Sequence, residues 1–354
     1  MPATAALAQP PTSVEDVTAA PQFLWRRRVL GLVVVLAALL AALFLSLLVG
    51  ASMKTPAETW QGLVHPDGSE ASLIVWTLRV PRTVLAVVAG TAFAVAGALI
   101  QAITRNPLAD PGILGVNAGA GFAVTVGVGL LGVTGGPLFL WIAFAGALVA
   151  TVLVYLIGSG GRGSASPATL VLAGVALSAV LGGIGTVMEL FDPDTFRDVR
   201  RWGLGSVVVT DLSGVELMLP YLLVALVIAL AISGSLNAIA LGDDFATSLG
   251  AHVTRTRLLG IVAVTVLAGG GTALTGGIAF VGLMVPHVVR WFTGPDQRWV
   301  IAYSALAGPV LVLLADVLGR VVVIPSEIEV GLVTAVVGAP VLIALVRRKK
   351  ASGL

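Results

Sequence analysis

Long apolar runs with almost no charge alternate along the chain with short polar connections. Each run approaches the roughly 20 residues that a helix needs to cross the hydrocarbon of a bilayer. Ten runs read as helical spans: 29–49, 83–103, 113–131, 137–157, 168–190, 212–236, 258–276, 277–291, 299–319 and 330–346. The seventh is rich in glycine and the eighth is short, which points to interrupted helices rather than simple rods. Pro220, Pro286, Pro309 and Pro340 fall within spans or at their ends, where neighbouring helices can re-satisfy the carbonyls that proline frees. The expected fold is all-α, a polytopic membrane protein of about ten transmembrane helices. Residues 1–28 read as a disordered tail, 29–348 as the membrane domain and 349–354 as a second tail. Arg26, Arg27 and Arg28 stand ahead of the first span, as in an export signal. That run is longer than a signal core and further spans follow it, so it is read as a retained helix.

Charge sets the orientation. With ten spans both ends lie on one side of the membrane, and basic residues favour the cytoplasm. Placing the ends inside puts 13 of the 20 Lys and Arg residues, but only 6 of the 18 acids, on the cytoplasmic side. The split is then +7 inside and −5 outside, and both termini are expected to be cytoplasmic.

Composition agrees with burial in lipid. Apolar residues make up 57% of the chain and charged ones 11%, where a soluble domain needs about a quarter charged. The 43 glycines supply small surfaces on which membrane helices approach closely, and Gly174, Ser178 and Gly182 read as one such seam, with Gly115 and Gly119 opening another. There is no cysteine, so disulfides and thiolate metal sites are excluded. The net charge of +2 gives no argument for nucleic acid. Arg82–Leu99 and Arg257–Leu274 are weakly similar stretches of opposite orientation, a faint suggestion of an inverted repeat.

An ion-coupled carrier usually holds an ionisable residue deep in a span. Here Glu189, Glu216, Asp316, Arg290 and Arg320 all stand toward span ends, where they are expected to snorkel. Energy must come from elsewhere, and this chain has no phosphate-binding loop of its own. Leu212–Glu216 looks faintly like an ATPase signature but sits at an outer boundary, so it is read as coincidence.

Several motifs carry a resemblance. Arg79-Val80-Pro81-Arg82 opens the second span and Gly97-Ala98-Leu99-Ile100-Gln101 closes it. Arg105-Asn106-Pro107-Leu108-Ala109-Asp110-Pro111-Gly112 follows, then Leu172-Ala173-Gly174, then Gly276-Gly277-Ile278-Ala279-Phe280-Val281-Gly282 running to Pro286-His287. Gly331-Leu332-Val333-Thr334-Ala335 and Gly338-Ala339-Pro340 come last. In order and spacing, over about residues 30 to 348, the chain resembles the FecCD family of permeases, which import ferric siderophores, haem and cobalamin. One departure is Gln297, where histidine is common, and little consequence is expected of it. The resemblance implies a permease subunit of an ATP-binding-cassette importer in the cytoplasmic membrane, with an iron(III)–siderophore as cargo and haem or cobalamin as the alternatives. It also implies a second permease subunit, two ATP-binding subunits and an extracytoplasmic solute-binding protein. This chain would bind no cofactor and no metal, ATP and Mg being used by the partner ATPase.

Candidate sites follow. Arg79, Arg82 and Arg320 lie outside, against the charge trend, and the resemblance makes them a docking surface for acids of the binding protein. Arg197, Arg200 and Arg201 are weaker candidates, and interfacial snorkelling or pairing with Asp192, Asp194 or Asp198 is the bland alternative. Inside, residues 241–250 read as a short amphipathic helix: Asp243 or Asp244 caps its start, Phe245 and Leu249 share a face, and Gly250 stops it. The resemblance makes this the coupling helix that contacts the ATPase, the alternative being a helix lying on headgroups. It also implies that Asn106, Leu108, Ser166, Pro167 and Ala168 form a cytoplasmic gate, although by themselves they are ordinary turn and helix-start residues. His287 is a lone histidine with no cluster about it and is read as structural rather than as a metal ligand.

Overall fold

The computed structural model describes residues 14–50, 54–160, 166–324 and 326–347, and among these every regular element is helical. Helices α1 (Val14–Leu48), α2 (Pro56–Val64) and α3 (Glu70–Leu73) lead through a π-helical turn at Ile74–Arg79 into α4 (Val80–Thr104). A 3-10 turn at Pro111–Leu114 precedes α5 (Val116–Leu131), α6 (Gly136–Ser159), α7 (Pro167–Phe191), α8 (Pro193–Gly203) and α9 (Ser213–Ala240). Then come α10 (Asp243–Ser248), α11 (Val253–Thr275), α12 (Val281–Thr293), α13 (Gln297–Val322) and α14 (Val330–Arg347).

Each of the ten expected spans coincides with one helix. Among the described residues, seven helical segments are long and apolar enough to cross a membrane. Val116–Leu131 and Val330–Ile343 are apolar but shorter, and α12 has 13 residues. The first helix begins at Val14, inside the segment read as a tail.

The bundle has a centre and a rim. In α4 and α11, 78% and 72% of the most apolar window is buried in protein, against 17% for α1 and 22% for α7. The rim helices leave many of their leucines and valines exposed, while α4 and α11, the two halves of the faint internal echo, pack on each other with α13 beside α4. Contacts are close because the sequence supplies glycine where backbones meet. A Cβ on Gly97 would fall on the carbonyl of Gly282, and one on Gly90 on the backbone of Gly308 and Pro309. The expected Gly174–Ser178–Gly182 seam is only partly realised. Gly174 packs under the carbonyl of Ile113, but Gly182 is exposed and meets nothing within 4 Å among the described residues.

The interrupted eighth span has a local cause. Residues 276–280 are not helical, and Phe280 enters α12 with a φ of 68°, a region that L side chains rarely adopt. Pro286 has no N–H to give the carbonyl of Gly282. Gln101, fully buried on α4, fills the gap: its Nε2 donates to Gly282 O at 3.1 Å and to Leu283 O at 3.2 Å. Arg290 Nη1 holds the other end of this amide, donating to Gln101 Oε1 at 2.5 Å. Arg290 was expected to snorkel to the inner boundary. It turns inward instead, because a carbonyl orphaned by proline in the bundle needs a donor and the donor needs an anchor.

Candidate functional site

The outer face gathers the three arginines of the second and ninth spans. Val80 N–H reaches back five residues to Val75 O because Pro81 cannot continue the ordinary ladder. Arg79 and Arg82, three residues apart, then share a side of the helix. Arg320 approaches from α13. All three are buried, at 4%, 8% and 2% exposure, where an exposed docking surface was expected. The reason is on the facing helices. Arg82 donates from Nε (2.8 Å) and Nη2 (2.6 Å) to Asp316 Oδ1 and from Nη1 to Glu327 Oε2 at 2.6 Å. Arg320 pairs with the other oxygen of Asp316, four residues earlier on the same helix. Asp316 and Arg320 thus do not snorkel, since their charges are satisfied in place.

The same cations close the first helix. A helix leaves its last four carbonyls without partners, and α1 ends beside this cluster. Arg79 Nη1 donates to Leu47 O (2.6 Å) and Leu48 O (3.0 Å), and Arg320 Nη1 to Ser46 O and Val49 O, both at 2.8 Å. Cations at a helix C-terminus are also favoured by its dipole. The cluster lines a cavity of about 390 Å³, with Gly50, Glu70 and Glu327 also in its lining. Glu70 is paired with Lys54 at 3.0 Å, and among the described residues the carboxylates that pair with Arg82 and Arg320 are Asp316 and Glu327.

A second outer concavity of about 800 Å³ was not foreseen. Phe139, Asp198, Arg201, Trp202, Thr275 and Glu329 are among its lining. It forms where α8, the end of α11 and the connection ahead of α14 converge. Gly276 sits under Trp202 O, and Gly331 N donates to Gly205 O at 2.9 Å. No single sequence motif could reveal it, as its lining comes from five separate segments. Of the weaker arginine candidates, Arg197 pairs with Asp194 as the bland reading held, Arg200 lies over the Phe196 ring at 5.9 Å, and Arg201 lines this cavity.

On the inner side, α10 stands apart between α9 and α11. Phe245 and Leu249 are 53% and 61% exposed while Ala246 between them is fully buried, so the helix turns an apolar face outward. Gly250 stops it at φ 81°. The expected cap is corrected. Gly242 is the N-cap and neither Asp243 nor Asp244 caps by its side chain, though both lie in the first turn. Asp243 is drawn away by two guanidinium groups, pairing with Arg105 at the end of α4 and with Arg257 Nη1 at 3.0 Å on α11. Arg105 takes a left-handed φ of 50° and opens the gate-candidate loop.

In that loop Asn106 Oδ1 accepts from Leu108 N at 3.0 Å, and Leu108 is 41% exposed. Asp110 Oδ1 accepts from Gly112 N at 2.8 Å; burial pushes its pKa up while that amide pulls it down. Ser166 caps α7, its Oγ accepting from Thr169 N at 3.2 Å, with Pro167 and Ala168 in the first turn. No hydrogen bond joins these residues to the Asn106 loop among the described residues. His287 is buried edge-on to Trp291 at 5.9 Å, and no group of three His, Cys, Asp or Glu gathers among the described residues. Gln297 is also buried; its backbone N donates to Asn237 Oδ1 at 2.7 Å, but its Oε1 has no partner.

Comparison with known proteins places these features in a lineage. The description of the FecCD transport family matches residues 38–348. The chain is similar to the ferric enterobactin transport system permease protein FepD of Escherichia coli (strain K12), at 47% identity over 315 residues, 89% of this chain and 94% of that one. It is 38% identical over 339 residues to the iron(3+)-hydroxamate import system permease protein FhuB of Bacillus subtilis (strain 168), covering 94% of this chain and 88% of that protein. A solved chain described as a metal-chelate type ABC transporter in an inward-facing conformation shares the fold at a TM-score of 0.76. It is 24% identical, and the match covers 91% of this chain and 99% of that chain.

Proposed function

From the premise that this chain belongs to the FecCD transport family, we propose that it is the permease of an ATP-driven importer carrying an iron(III)–siderophore chelate across the cytoplasmic membrane. The observation that carries the reading is the 47% identity to a ferric enterobactin permease over nearly the whole of both chains. It is a multi-pass membrane protein, and as an importer permease it works with ATPase and binding-protein components. Two permease subunits, two ATP-binding subunits and one binding protein are the proposed assembly.

Features of the chain's two faces support a site for each partner. α10 presents Phe245 and Leu249 outward, which suits a groove on the ATPase. Asp243 ties that helix to Arg105, beside the loop of Asn106 and Leu108, so a push on α10 has a direct route to the proposed gate formed with Ser166, Pro167 and Ala168. Arg79, Arg82 and Arg320 form the electropositive pocket on which the binding protein sets an acidic residue, a buried cluster rather than an open surface.

Substrate class is tested by uptake into proteoliposomes holding the complete complex. A catecholate or hydroxamate ferric siderophore is expected to accumulate and to be outcompeted by its own excess. Uptake of haem or cobalamin with indifference to ferric siderophores would overturn the substrate reading.

A further inference from the structure

We propose that Glu327 is a placeholder: its carboxylate occupies the position on Arg82 that an acidic residue of the docking binding protein takes, and docking proceeds by exchange of one carboxylate for the other. This rests on the docking reading of the arginine pocket.

The two acids that hold Arg82 differ in kind. Asp316 is buried to 2% side-chain exposure, sits within α13 and is shared with Arg320, so it is a fixed part of the cluster. Glu327 has a side chain 32% exposed, lies on the outer connection between α13 and α14, and makes one bond, to the single Arg82 nitrogen not turned toward Asp316. Arg82 and Glu327 both line the cavity. The backbone beside Glu327 is anchored: Ile328 N donates to Gly319 O at 3.0 Å, and Gly319 is packed under the carbonyl of Ile328. Glu327 therefore leaves by a change of rotamer, without unfolding its loop.

Electrostatics favour the exchange only for an anionic visitor. With Glu327 in place the cluster holds three guanidinium groups and two carboxylates. Once Glu327 swings out, the surplus rises by one positive charge among guanidinium groups that are largely buried, where an unpaired cation is costly. A carboxylate of the partner restores the balance. The same competition keeps the pocket from capturing stray anions, because an incomer must make a better bond than the resident acid.

The test uses the complete permease–ATPase complex in nanodiscs with its purified binding protein. Glu327→Gln removes the competing charge and is expected to tighten docking about tenfold. Glu70→Gln neutralises another acid lining the same cavity, but one that pairs with Lys54, and is expected to change affinity less than about twofold. Unchanged or weaker docking by Glu327→Gln would overturn the exchange while leaving the pocket as the docking site. Equal tightening by both variants would also overturn it, since general charge would then suffice. Wild-type docking indifferent to salt between low and physiological ionic strength would remove the docking reading itself.

Discussion

Replacing Asp316 by leucine is expected to destabilise the folded chain by about 3–5 kcal/mol, the usual cost of removing one partner from a buried ion pair. Asp316 is 1% exposed and is the shared acceptor of Arg82 and Arg320. Without it, two buried guanidinium groups face each other with Glu327 as the remaining acid. The loss reaches further than the pair. Arg320 closes the end of α1 through Ser46 O and Val49 O, so a displaced Arg320 also leaves those carbonyls open. Thermal melting of the purified protein in detergent reads this directly. Asp316→Leu should melt well below the wild type, while Asp67→Leu, on an exposed outer loop, should stay within about 0.5 kcal/mol. Coincident melting of Asp316→Leu and wild type would show that the cluster contributes nothing to holding α1, α4 and α13 together.

The second large effect is on transport. Phe245 and Leu249 are exposed in the isolated chain, and burying each in a partner's groove is worth about 1.5–3 kcal/mol. A carboxylate at either position would be desolvated without a partner, which adds to the loss. Phe245→Asp with Leu249→Asp is expected to leave insertion unchanged and melting little affected, because both residues are more than half exposed and lie outside the spans. Co-purification of the ATPase, and with it uptake, should fall to background. A double variant that retains the ATPase and full uptake would make α10 a helix that merely lies on headgroups.

How far this was legible in the sequence differs from residue to residue. The spans were visible because a bilayer demands long uncharged runs whatever the packing; each of the ten runs contains a helix, and seven helical segments are long and apolar enough to cross. The coupling-helix candidate was visible because its signals are local: Phe245 and Leu249 one turn apart, and Gly250 as a stop. Local signals also misled. Asp243 looks like a cap until Arg105 and Arg257, 138 and 14 residues away, are brought to it. The arginine pocket was half visible. Arg79, Arg82 and Arg320 stood out against the charge trend, but Arg82 meets Asp316 across 234 residues and Glu327 across 245, and no periodicity reports such pairs. Asp316 and Arg320, four apart on one helix face, were the available clue to a buried pair. The bond from Gln101 to Gly282 had a readable cause in Pro286, which must orphan a carbonyl four residues earlier, but which helix supplies the donor is a matter of packing.

The central claim is that this chain forms the path and a separate ATPase supplies the energy. The most direct measurement is uptake of a ferric siderophore by proteoliposomes of the complete complex, with binding protein on the receptor face, ATP and Mg at the ATPase face, and no ion gradient. Uptake that requires ATP, ceases with a hydrolysis-dead ATPase and is untouched by protonophore and sodium ionophore is the predicted result. Uptake driven by an imposed ion gradient without ATP would contradict the account and make the chain an ion-coupled carrier.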